Sequence, residues 1–133
     1  PPEGRGAGDP GHRRGHSMTA TRLLTGQEVA CLVGGWGVDE ISMAPHVLTR
    51  DADLIYRWTT PTTSGTQPDG RAFHSATAVG QACLLVYGGL GQGCCRTDVA
   101  LLDLNSMAWS APVLLGTPRC VGGRAGHGAA FFP

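Results

Sequence analysis

The chain has 133 residues, enough for one domain at most, and its ten basic and ten acidic residues leave a formal net charge of zero. With no basic excess or stripe, a nucleic-acid surface is disfavoured. The 21 glycines and the 15% charged fraction favour short strands and tight turns over helices, while recurring Leu, Val, Ala and Trp disfavour disorder.

In chain order, residues 1–12 read as a Gly/Pro-rich linker or connecting loop. Four strand-like runs follow, at Ser17–Leu24, Val29–Val33, His46–Thr49 and Ile55–Thr60. A second set of four lies at His74–Val79, Cys83–Tyr87, Asp98–Leu104 and Trp109–Leu114. Gly80-Gln81, a Leu90–Thr97 loop and Asn105-Ser106 separate these runs, which is a hairpin signal. Cys83–Tyr87 is expected at the centre of its sheet, between His74–Val79 and Asp98–Leu104. No long stretch keeps a helical period, so no helix is expected.

The two sets carry the same landmarks. Arg13–Ser17, Arg71–Ser75 and Arg124–Gly128 share a phrase of Arg followed by His (His16, His74, His127). Gly-Gly pairs follow the first two, at Gly34-Gly35 and Gly88-Gly89, and each is followed in turn by a tryptophan, Trp58 and Trp109. The period is about 50 residues, which places repeat one at 13–70, repeat two at 71–123 and the first strand of a third at 124–133.

A repeat of that length, with four strands, a Gly-Gly pair and a later Trp, resembles the kelch motif. Gly8-Asp9-Pro10 and Pro68-Asp69-Gly70, standing before the Arg-x-x-His-Ser phrases, extend the likeness. The resemblance implies an all-β chain, a kelch-type β-propeller fragment of about two to two and a half four-stranded antiparallel blades. Repeat one departs from it in lacking an Asp-Leu…Leu-Asp strand like Asp98–Asp103; Asp51 and Asp53 are the nearest candidates. Propellers close with about 4–8 blades, so further blades or self-association are expected.

Chemistry-bearing residues are few. His16, His74 and His127 could form a zinc set, but each occupies the same landmark of its own repeat, so the expectation is a structural role and no metal. The same holds for Arg13, Arg71 and Arg124. The five cysteines form no CxxC pair, which argues against a disulfide framework or zinc knuckle and for reduced thiols in the cytoplasm or nucleus. Apolar runs are too short to span a bilayer, and the glycine clusters fit no phosphate-binding motif. No catalytic residue, cofactor or membrane contact is expected.

Kelch propellers act mostly as scaffolds and adaptors, so the resemblance implies a protein partner bound through loops between strands. The expected surface comprises residues 36–46 and 90–97, with Trp36, Asp39, Glu40 and Arg96 as contact candidates. Trp36 is either a contact anchor or a cover for the base of its own loop. The alternative class is a kelch-like metal-dependent oxidase or specifier enzyme. Only Tyr56 and Tyr87 are available for a copper set, and the Glu-xxx-Asp-xxx-His spacing of the specifier type is absent.

Overall fold

The computed structural model describes residues 7–38, 40–116 and 122–132. Residues 1–6 of the expected linker lie outside the described residues, as do Asp39, residues 117–121 with Cys120, and Pro133. The described chain is all-β, with eleven strands and no helix.

The first sheet is formed by β1 (Ser17–Arg22), β2 (Glu28–Val33), β3 (His46–Arg50) and β4 (Tyr56–Thr59), paired antiparallel in chain order. The second contains β6 (Ser75–Val79), β7 (Cys83–Tyr87), β10 (Val99–Asp103) and β11 (Ala108–Ser110), again antiparallel in chain order. The short β5 (Ser64–Gly65) adds a parallel pairing beyond β11. Strands β8 (Leu90–Gly91) and β9 (Cys94–Cys95) form a separate small hairpin. As expected, β7 lies between β6 and β10.

Side chains alternate between the faces of each sheet. In the first, Val29, Cys31, Val33 and Val47 point to one side and are buried. In the second, Leu84, Val86, Ala100, Leu102 and Trp109 do the same. These two faces form the core, joined by Met43, Ala82 and Leu104. Strands β1 and β6 are the neighbouring pair across this junction.

Registers match between the sheets. A row across the first runs Ala20, Ala30, Leu48, Trp58. Its counterpart in the second runs Ala78, Leu84, Leu102, Trp109. The second row faces the core, whereas the first faces away from it and borders an open groove of ≈ 640 Å³. Their recurrence at equivalent points of the two repeats predicts that both tryptophans are largely buried. Trp109 is 3% exposed, but Trp58 is only half-buried, because nothing described covers its face.

Two further differences have local causes. The expected strand Trp109–Leu114 ends at Ser110, since Pro112 has no N–H to give the ladder. Val113, Leu114 and Leu115 beyond it are exposed. Residues 122–132 form no strand. Their first part instead lies against the second sheet: Tyr87 Oη donates to the Gly122 carbonyl at 2.6 Å, and the Tyr87 and His127 rings meet edge-on with centroids 5.2 Å apart. In repeat one, Asp51 belongs to the β3–β4 turn, where its carboxylate accepts from the Asp53 and Ile55 amides.

Candidate functional site

The shared phrases meet at a seam that occurs twice. At the first seam, His74 Nε2 and Ser17 Oγ share a 2.8 Å hydrogen bond, and the Gly35 amide donates to the Arg71 carbonyl at 2.9 Å. At the second, His127 Nε2 and Ser75 Oγ share one at 2.9 Å, and the Gly89 amide donates to the Arg124 carbonyl at 2.8 Å. The histidine of one repeat thus fastens to the serine of the repeat before it. Gly34 explains why glycine stands there: its φ is +69°, and a Cβ would collide with the His74 ring. Gly88 stands in the same relation to His127, with a Cβ falling 2.9 Å from Cε1.

Burial pushes the His74 imidazole down to about 4, with smaller contributions from Arg71, His127 and His16. The ring is therefore neutral at physiological pH. Among the described residues, no group of three or more His, Cys, Asp or Glu could hold a metal ion. The three histidines are spread over successive repeats instead of converging.

Arg71 and Arg13 brace their repeats, whereas Arg124 is exposed, its Nε donating to the Gly122 carbonyl at 3.4 Å. Arg71 is 1% exposed and donates to the Gly88 carbonyl at 3.2 Å, to the Asp69 carbonyl at 3.0 Å, and to both carboxylate oxygens of Asp98 at 2.7 and 2.9 Å. That fork holds the Asp98 carboxyl below the usual range. Arg13 repeats the carbonyl contacts, to Gly34 at 3.1 Å and twice to Pro10. Its carboxylate partner is missing, because Ala44 occupies the place corresponding to Asp98. The equivalence is gap-free, since the Trp36–Ile41 bridge matches the Leu90–Cys95 pair and the pairing of Leu32 with His46 matches that of Val86 with Ala100.

The two loops expected to carry contacts are neighbours. Residues 69–73 run between them: Ala72 bridges Leu90, and Gly70 lies so close to the Ile41 carbonyl that a Cβ would collide with it. A Cβ on Gly91 would fall 2.5 Å from the Gly70 carbonyl oxygen on the opposite side. Trp36 is half-buried in this cluster, exchanging backbone hydrogen bonds with Arg14 at 3.1 and 2.8 Å. Its ring meets Phe73 edge-to-face at 5.5 Å, with the Arg14 guanidinium 5.2 Å over its face.

Glu40 is exposed, and its carbonyl accepts from the Gly37 amide to close the hairpin. Arg96 is half-buried and turned inward, 3.4 Å from both Asp69 and Gln92. Asp39 lies outside the described residues. The structure thus brings Trp36, Glu40 and Arg96 to one end of the two sheets. Sequence reasoning placed Asp98, Ser17 and Ser75 within the repeated phrases but assigned no contact to them or to Phe73.

Cys31 is buried, which pushes its thiol up to about 12, so it is inert; Cys94 and Cys95 are exposed free thiols in the β8–β9 hairpin. No helix among the described residues is long and apolar enough to cross a membrane.

Part of the chain is similar to two proteins with kelch in their names and to an acyl-CoA-binding domain-containing protein. Kelch domain-containing protein 3 of Homo sapiens is 35% identical over 65 residues, covering 47% of this chain and 17% of that protein. The human Rab9 effector protein with kelch motifs is 36% identical over 64 residues, covering 46% and 17%. Acyl-CoA-binding domain-containing protein 4 of Arabidopsis thaliana is 35% identical over 85 residues, covering 62% and 12%. The chain therefore spans less than a fifth of the length of these relatives. No family model matches it.

Proposed function

We propose that this chain is part of a kelch-type β-propeller and works as a protein-interaction module. The two sheets are read as successive four-stranded blades, with residues 124–133 opening a third. One observation carries the reading: the His–Ser and Gly–Arg seam occurs twice in the same geometry. Such a joint can be repeated, and each added unit buries the open face of the last, as repeat architectures require. Kelch-named relatives support it over about half of the chain.

The partner surface is assigned to residues 36–46 and 90–97, carried on one end of the sheets, where loops are free to vary while the strands hold them. The assignment includes Trp36, Asp39, Glu40 and Arg96. Of these, Trp36 offers the most apolar area, with Arg14 and Phe73 holding its ring in place. The reading gives the chain an adaptor role with no catalysis, and the remaining blades come from further sequence or from association. In the full-length protein, Trp36→Ala, Asp39→Ala and Arg96→Ala should each lower partner recovery in pull-down. Unchanged recovery together with lowered thermal stability would assign these loops to the fold alone.

A further inference from the structure

The two repeats hold their landmark arginines in different electrostatic company. In repeat two, the end-on edge of the Arg71 guanidinium grips both oxygens of Asp98. In repeat one, Arg13 makes the matching bond to Gly34 and spends its other edge, Nε with one amino nitrogen, on the Pro10 carbonyl. This leaves one N–H on each terminal nitrogen of Arg13 without a hydrogen bond among the described residues. Those are the two that correspond to the Arg71 fork. Ala44, the counterpart of Asp98, has no side-chain oxygen to offer. Arg13 is only part-buried and borders an open cleft of ≈ 240 Å³ beside Gly37, Val38 and Glu40. The Glu40 and Asp9 charges act on it, but neither makes a direct ion pair with it.

We infer that Arg13 is a receptor for a carboxylate supplied by a binding partner. The guanidinium edge fits a carboxylate in two parallel hydrogen bonds, and the Arg71–Asp98 pair displays the filled form of the same site within the same chain. The ligand is an acidic group of a peptide, seated over Ala44 at the base of the 36–46 loop. The partner's being a protein rests on the interaction-module reading; the carboxylate site itself is tested without any partner.

Two capped peptides separate the possible sources of the group. Acetyl-Gly-Asp-Gly-amide offers a side-chain carboxylate alone, and acetyl-Gly-Gly-Gly with a free C-terminus offers a terminal one. Each is titrated into the full chain while the Nε–H signals of Arg13 and Arg71 are followed by NMR. At least one peptide should shift the Arg13 signal and leave Arg71, already paired, unmoved. Ala44→Asp supplies the carboxylate internally, so it should reduce the Arg13 response by about tenfold or more and raise the melting temperature. If Ala44→Asp fails to fold, Arg13→Lys keeps the charge without the fork, and the Gly35 amide serves as reporter in its place. A response lost in Arg13→Lys supports the site. No Arg13 shift with either peptide, or a shift that persists in whichever variant folds, overturns it. A failed pull-down beside an intact Arg13 titration would count against the partner reading alone.

Discussion

Trp109 and Trp58 stand at the same register position of two sheets, opposite Leu102 and Leu48, yet the first is buried and the second half-buried. The first sheet covers Trp109, while nothing among the described residues covers the face that carries Trp58. A residue's place within a repeat therefore sets its orientation, and the neighbouring repeat sets its energetic weight. The largest expected contrast follows directly. Trp109→Ala should cost about 3–5 kcal/mol, within the range for emptying a packed aromatic site. Trp58→Ala should cost about 1 kcal/mol in the same chain, since its area is only partly withdrawn from water. Chemical denaturation of the two variants checks this, and equal losses would remove the distinction between covered and uncovered faces.

The seams are expected to respond to pH. The His74 imidazole lies at about 4 in the folded chain, against an ordinary value of 6.5. A base with a lowered folded value leaves the unfolded chain holding more protons between those limits, so stability is full above about 6.5 and falls as pH drops toward 4. The loss is on the order of 3 kcal/mol for this one group. His74→Gln should flatten that slope in denaturation curves taken from pH 7 to 4. An unchanged slope would mean that other groups govern the acid limb.

The arginines extend the comparison. Asp98→Ala should cost about 2–3 kcal/mol, because it leaves the buried Arg71 guanidinium without its carboxylate; the half-exposed position of Asp98, whose side chain is 51% accessible, keeps the cost at this level. Repeat one already lives without that carboxylate, and its Arg13 answers by turning more donors to carbonyls and staying nearer solvent. Thermal denaturation of Asp98→Ala measures the difference. A neutral result would show that the Arg71 carbonyl contacts suffice.

The periodic landmarks made much of this legible from residues alone. Thr19, Thr21, Val29, Cys31, Val33 and Val47 alternate as strands must, and the Gly-Gly and His-Ser phrases recur because the seam needs a ring packed over a residue without a Cβ. What stayed hidden depended on neighbours. Nothing in the local sequence of Trp58 says that its face is open, and Pro112 cuts short a strand whose apolar composition continues to Leu114. Trp36 shows the same limit, since only the fold brings Arg14 and Phe73 onto its ring. The short pairings β5 and β8–β9 carry too few residues to show a period.

At both seams, the histidine of one repeat fastens to the serine of the repeat before it. A double-mutant cycle measures that bond directly, combining Ser17→Ala with His74→Gln and comparing the pair with each single variant. A coupling of about 1 kcal/mol is expected, the net worth of one part-buried hydrogen bond. Losses that simply add, with coupling within the roughly 0.3 kcal/mol typical of independent sites, would contradict the seam.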